Sequence, residues 1–258
     1  MQGIKHITAK DNATVKHISK LISSASYRKK CGEFVAEGLR VCTDCIDNGI
    51  KISLLAVTES FLDKNREIVL KFTEKAEQTV TVCDSLFSKM SDTKTPQGIL
   101  VAGKIPQNTL SVIKRDGKYI ALENTADPSN FGAISRTAEA LGIDGIIVSS
   151  VGCDPFSPKV LRASMGTALR MPVIVANDFC GFLESSGLKI YCCVVKDGGD
   201  IRKTHFSQGS VLLIGNEANG LTDSARLLGK NITIPMSGSA ESLNASAAAA
   251  IAMWELVK

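Results

Sequence analysis

Two short stretches in the last quarter of the chain gather the side chains best placed to do chemistry. Gly215-Asn-Glu-Ala-Asn-Gly220 follows the apolar run Val211–Ile214, and Ser242-Leu-Asn-Ala-Ser246 follows Ile234-Pro-Met-Ser-Gly238. A simple turn accounts for the glycines and asparagines but does not call for the carboxylate of Glu217. Ser242 suits the N-cap of a final helix, with Asn244 and Ser246 in its first turns. Each stretch reads as a buried strand ending in a polar, glycine-bearing turn. Two such turns bring Asn, Glu and Ser side chains to one end of a parallel sheet, where open α/β sheets bind ligands.

Further upstream, Glu123-Asn-Thr-Ala-Asp-Pro-Ser-Asn130 leaves another apolar strand. Asp127 is a good N-cap and Pro128 a good first helical residue, which puts Asn130 in the first turn. Phe131, Ile134, Ala138 and Leu141 form the buried stripe of that helix, and Arg136 lies nearly opposite. Gly132, one turn before Arg136, leaves room for a ligand or a neighbouring chain; a solvated arginine fits the same pattern. Asp154 to Gly166 adds Lys159, Arg162 and Ser164 near a helix start, an arrangement suited to phosphate.

The elements that must carry these side chains alternate along the chain. A helix at Thr14–Leu21 precedes strands at 33–36, 52–57, 79–82 and 98–102, with helices at 37–47, 60–75 and 84–90 between them. After the polar, proline-bearing stretch 103–109, strands are expected at 119–122, 145–148, 173–176, 190–195, 211–214 and 231–234. Helices fall at 128–141, 158–169, 179–185 and 243–257. This alternation implies α/β units with a mostly parallel sheet. The boundaries that follow are 1–103 for a small basic module, 104–114 for a linker and 115–258 for the larger module.

The 258 residues carry a net charge of +4, but the surplus is local. Lys5, Lys10, Lys16, Lys20, Arg28, Lys29, Lys30 and Arg40 stand against only Asp11, Glu33 and Glu37 in the first forty residues. A polyanion partner and a solvated helix surface explain that face equally. No apolar run has the length of a membrane span, and Met1-Gln-Gly-Ile-Lys-His6 lacks the apolar core of a leader, so a cytoplasmic protein is expected. Its eight cysteines then read as free thiols, Cys42-x-x-Cys45 and Cys192-Cys193 among them. His6, His17 and His205 have no ligand spacing, and no metal is expected. Neither G-x-G-x-x-G after a strand nor G-x-x-x-x-G-K-[ST] occurs.

Together these segments resemble the SpoU (TrmH-like) branch of the SPOUT RNA methyltransferases. Asn124–Gly132 with Arg136 is similar to the family's first motif, Gly215–Gly220 to its second, and Ile234-Pro-Met-x-Gly238 with Ser242-Leu-Asn-x-Ser246 to its third. Ser157-Pro-Lys-Val-x-Arg-Ala-Ser-Met-Gly166 is similar to a segment of its ribosomal-RNA members. Phe34-Val-Ala-Glu-Gly-Leu-Arg40 and Pro96-Gln-Gly-Ile-Leu100 are similar to its substrate-binding domain of ribosomal-protein L30e type. The departures are Ala245, where valine is usual, and Asn216, where a small residue is common.

The resemblance implies an α/β chain whose C-terminal domain is a trefoil-knotted SPOUT methyltransferase domain, dimerising with a second copy through that domain. It implies transfer of a methyl group from S-adenosylmethionine to a ribose 2′-hydroxyl in RNA. Arg136 would be the central catalytic residue, with Asn130, Glu217, Ser242 and Asn244 around it. Ile214, Gly215, Asn216, Ile234, Met236, Gly238 and Leu243 would hold the cofactor, and Lys16, Arg28, Lys29, Lys30, Lys159 and Arg162 would meet RNA phosphates. Ribosomal RNA is the expected substrate. The competing readings are a transfer-RNA ribose methyltransferase and a non-catalytic RNA-binding protein on the same scaffold.

Overall fold

A computed structural model describes residues 4–258. Residues 1–3, which open the stretch read as lacking a leader, lie outside the described residues. The chain forms two compact units. One runs to Pro106 and also includes Phe156–Arg170; the other comprises Gln107–Pro155 and Met171–Lys258.

The first unit begins with β1 (Lys5–Ile7), α1 (Ala13–Ser23) and α2 (Ala25–Cys31). Asn12 caps α1 by accepting from Thr14 N, and Val15, Ile18 and Leu21 turn inward at helical spacing. Then follow β2 (Glu33–Glu37), α3 (Leu39–Asp47), β3 (Ile52–Thr58), α4 (Glu59–Lys64), α5 (Arg66–Thr73), β4 (Thr79–Val82), α6 (Asp84–Met90) and β5 (Ile99–Lys104). The five strands form one sheet in the order β1-β4-β3-β5-β2. β1, β4 and β3 are parallel, and β5 runs antiparallel to β3 and β2. Ile18 and Leu21 of α1 and Phe87 of α6 pack on Val35, Ala56, Val80 and Leu100 to make its core.

The second unit starts with β6 (Lys118–Leu122), α7 (Pro128–Ala140) and β7 (Gly145–Ser149). The chain then contributes α8 (Pro158–Ala163) and α9 (Thr167–Arg170) to the first unit, where α8 packs on β2 and α9 on α3. It continues with β8 (Val173–Ala176), α10 (Phe179–Ser185), β9 (Lys189–Cys193), β10 (Gly199–Asp200), β11 (Ser210–Ile214), α11 (Asp223–Arg226), β12 (Lys230–Thr233) and α12 (Ala245–Val257). Seven parallel strands make its sheet, ordered β10-β12-β9-β11-β6-β7-β8. Tyr119, Ala121, Val211 and Leu213 pack with Phe179 and Leu183 of α10. The alternate residues Ile120, Leu122 and Leu212 are equally buried on the opposite face, where α12 lies against β6 and β11. Burial on both faces is why these strands are unbroken apolar runs.

Several elements differ from the sequence expectation. The helix expected at 60–75 breaks at Asn65, whose φ and ψ are −131° and 36°. The one expected at 158–169 breaks where Met165 and Gly166 take φ of 52° and 81°. The final helix starts at Ala245 rather than Leu243. Strand β5 runs on to Lys104, two residues past its expected end. β1, α2, β10 and α11 are too short to show a periodic signal. All eight cysteines are free, with Cys42, Cys45 and Cys192 buried. Among the described residues, no helix is long and apolar enough to cross a membrane.

Candidate active site

Strands β6 and β11 are neighbours, with Leu122 paired to Ile214. Their C-terminal ends therefore release the segments 123–127 and 215–221 side by side. β7 flanks β6 on its other side, so the sheet order reverses here, and such a reversal opens a crevice at the carboxyl end of a parallel sheet.

The second turn closes tightly on itself. Asn216 N donates to Gly220 O at 3.0 Å and Gly220 N to Asn216 O at 2.9 Å. A Cβ on Gly215 would lie 2.2 Å from the carbonyl carbon of Gly220 and 2.3 Å from Leu221 N, so only glycine fits. Gly215→Ala is expected to lower the melting temperature by several degrees, because backbone cannot step aside as a flexible side chain can. A melting curve superimposable on that of the unaltered protein would show that the turn is not so constrained.

Glu217 then reaches back to the first segment. Its carboxylate accepts from Ala126 N (3.2 Å), Asp127 N (3.3 Å), Asn130 Nδ2 (2.9 Å) and Asn216 Nδ2 (3.4 Å). Burial pushes this carboxyl up, but the Asn130 amide and the backbone N–H groups outweigh it and hold Glu217 below the usual carboxylate range. Asn130, itself buried, accepts from Asn244 Nδ2 at 3.1 Å. Asn244 uses its Oδ1 to cap α12, accepting from Ser246 N (2.9 Å) and Ala247 N (3.4 Å). One chain of hydrogen bonds thus joins Asn244, Asn130 and Glu217, each bond spanning more than eighty positions of sequence. Asn244, not Ser242, caps α12; Ser242 is exposed in the irregular segment before it.

Arg136 lies on α7, exposed and without a hydrogen bond or ion pair to any described residue. Gly132 is buried, as is Ser135, whose Oγ donates to the Gly132 carbonyl at 3.0 Å. Because Gly132 is itself buried, its backbone does not present the open approach that its spacing from Arg136 suggests.

Two residues of this site escaped the sequence reading. Glu123, buried just after β6, accepts from Thr222 N (2.9 Å) and Thr222 Oγ1 (2.6 Å) and pins the far end of the second turn. Asn124 takes a left-handed φ of 55°, and its carbonyl accepts from Asn216 Nδ2 at 2.8 Å. A carboxylate directly after an apolar strand was the available signal for Glu123. Burial, then the charges of Glu217 and Asp154, push the Cys153 thiol up to about 11, away from the thiolate form a nucleophile needs.

Residues 117–254 match the SpoU rRNA Methylase family, and residues 12–101 match the MRM3-like substrate binding domain. The chain belongs to the SpoU rRNA methylase family. It is 29% identical to the 23S rRNA (guanosine(2553)-2′-O)-methyltransferase RlmP of Bacillus subtilis, over 98% of this chain and 99% of that protein. It is likewise 29% identical to the 23S rRNA (uridine(2479)-2′-O)-methyltransferase of Streptomyces viridochromogenes, over 98% and 92%. The AdoMet-bound rRNA methyltransferase of Sinorhizobium meliloti superposes with a TM-score of 0.85 at 30% identity, covering 98% of this chain and 97% of that one.

The segments that would hold a SpoU cofactor fit a ligand recognised through backbone. Residues 234–243 make no hydrogen bond to another described residue, so their carbonyls, and the N–H groups of all but Pro235, are available. Met236 and Leu243 lie there with 36% and 37% of their surface exposed, unusual for side chains of this size, and a Cβ on Gly238 would meet only open space. Ile214 is buried at the end of β11, and Gly215 and Asn216 open the closed turn.

The cations assigned to RNA divide into two groups. Lys16, Lys29, Lys30 and Lys159 are exposed, with Lys16 paired to Asp11 at 2.9 Å. Arg28 must be withdrawn from that set. Only 4% of it is exposed, and its guanidinium donates to the carbonyls of Leu21 (2.5 Å) and Ile22 (3.1 Å), closing the end of α1. Ser164 is buried too, with its hydroxyl donating to Leu161 O, so it offers nothing to phosphate. Arg162 is half-buried and pairs with Asp92 at 2.5 Å.

Proposed function

We propose that this chain methylates a ribose 2′-hydroxyl of RNA, ribosomal RNA being its substrate, with S-adenosylmethionine as methyl donor. The hydrogen-bonded chain Asn244–Asn130–Glu217 carries this reading, because it draws the three family motifs into one site at the carboxyl end of the sheet. When bound, S-adenosylmethionine supplies an activated sulfonium methyl. Backbone of 214–216 and 234–238, with Leu243, would hold it there.

The residues of the chain then have to align the hydroxyl and help its proton leave. Alignment alone can supply a large share of the barrier reduction. Glu217 is engaged by four donors and serves to fix the start of α7 and Asn130. Asn130 and Asn244 lock α7 to α12. Arg136 is left with a free guanidinium, a planar fork of N–H donors with no acceptor, which suits it to hold an anion and not to take the proton. Its role is to grip the target phosphate and stabilise the developing alkoxide, while the proton leaves through a phosphate oxygen or water. Ser242, exposed nearby in sequence, lies free to meet substrate.

The reading extends to the assembly. α12 is apolar on nearly every side, yet Ile251 and Trp254 are 41% and 60% exposed, which suits a homodimer through this unit. A trefoil knot formed by the segments around 215–221 and 234–257, an L30e-type fold for the substrate-binding domain and a cytoplasmic location complete the proposal. Domain limits of 1–103 and 115–258 would be modified by the packing of 156–170 on the first unit. Labelled methyl donor incubated with total ribosomal RNA should leave one ribose resistant to alkaline cleavage. Label on a base, with no protected ribose, would overturn the reaction.

A further inference from the structure

The first unit contains a cationic face built on one buried carboxylate. Glu37 ends β2 with only 7% of its surface exposed. Its oxygens accept from Ser91 Oγ (2.5 Å), Thr93 Oγ1 (2.6 Å) and Asp92 N (3.2 Å), which folds residues 91–93 onto the end of the strand. Further along the same segment, Gln97 Oε1 accepts from Leu39 N at 2.8 Å, tying it to the start of α3. Asp92 in turn holds Arg162 of α8, which packs on β2.

Four cations are brought together by these bonds. Arg40 follows Leu39 in the first turn of α3 and is exposed; Lys94 follows Thr93 and is exposed. Lys159 is exposed one turn before Arg162 on α8, whose inward residues are Pro158, Val160 and Leu161. Three carboxylates here are engaged internally: Glu37 as above, Asp92 by Arg162, and Asp44 by Arg170 at 2.9 Å, while Asp47 lies exposed at the far end of α3. Arg162 uses Nη2 on Asp92, while its Nη1 is buried with no hydrogen-bond partner. Nη1 is closed off from solvent, so the arm a phosphate can compete for is Nη2, which Asp92 holds at a partly exposed position.

We propose that Arg40, Lys94, Lys159 and Arg162 form the face on which the RNA backbone docks, and that Asp92 holds Arg162 until a phosphate displaces it. This rests on RNA being the substrate and adds which surface takes the backbone and how it is kept in register when empty. It also explains why residues 156–170 leave their own sheet to pack on the first unit: they complete this face.

The test is filter binding of protein-free ribosomal RNA to the full chain across a series of KCl concentrations. The double variant Arg40→Gln/Lys94→Gln should lower the slope of log affinity against log salt by about 1.5, at roughly 0.7–0.9 per lost phosphate contact, with an unchanged melting temperature. Asp92→Asn should tighten binding about two- to fivefold, the competition being that of one half-exposed ion pair. If the unaltered chain binds RNA but the double variant keeps its slope, or Asp92→Asn weakens binding, the docking face is wrong. Absence of any salt-dependent RNA binding by the unaltered chain would instead remove the underlying function, and this face with it.

Discussion

Arg136→Lys is expected to lower methyl transfer about 100-fold or more while leaving the melting temperature unchanged. The two halves of this expectation have separate causes. Arg136 is exposed and bonded to no described residue, so its loss removes nothing from the folded state. Substitutions at such positions stay within about 0.5 kcal/mol. Its neighbours on α7 are the reverse: Asn130, Ile134 and Ser135 are buried, and Asn130 is bonded across the site. A free guanidinium on an otherwise fixed helix face is poised for an external anion. Lysine keeps the charge but presents a point, not a planar fork, so it cannot hold a phosphate and stabilise an alkoxide in one geometry. Near-normal turnover of the lysine variant at saturating methyl donor would show that only the charge matters.

The second large effect is expected for Asn130→Asp. The Asn130 amide donates to Glu217 Oε1 at 2.9 Å, and the substitution would set a second carboxylate against the first. Two carboxylates at that distance cannot both ionise without cost, so the pair must take up a proton and its affinity for that proton rises. The penalty should be about 2 kcal/mol near neutral pH, reduced from the value for a fully buried pair because Glu217 is partly exposed.

The sign with pH makes the test specific. In the unaltered protein the Glu217 carboxyl is held low, so its contribution to stability is present above the ordinary carboxylate range and is lost as pH falls through the lowered value. In the variant the raised affinity reverses this: the penalty grows as pH rises above the ordinary range and is relieved below it. Melting temperatures of the two proteins should therefore converge on acidification from pH 7. A gap that stayed constant with pH would mean that Asn130 and Glu217 are not coupled. Activity should fall with stability, because Asn130 also receives the Asn244 bond that ties α12 to α7.

Much of this site was legible before any fold was known. Glu217 stood out because a turn has no need of a carboxylate, and Asn130 and Arg136 were placed on α7 by the Asp127-Pro128 start and the apolar stripe behind them. Where the reading failed, the cause was a contact that local pattern cannot carry. Arg28 looked like a surface cation among Lys29 and Lys30, but a helix end beside it needed donors for its carbonyls. Ser242 looked like the cap of α12, yet Asn244 takes that position because its amide can cap with one atom and reach Asn130 with the other. Glu123 was passed over because its partner, Thr222, lies ninety-nine residues away.

Buried strands, most helix positions and the side chains able to do chemistry are readable from local pattern alone, since each depends on periodicity or capping within a few residues. The tertiary structure decided which of those side chains meet. The β6–β11 pairing sets the 123–127 and 215–221 segments side by side, and the Glu217–Asn130–Asn244 bonds join three distant motifs. It also decided that residues 156–170 pack with the first unit, where Arg162 finds Asp92. Strand order and long-range hydrogen bonds are set by the free energy of burying whole faces together, and no local spacing records them.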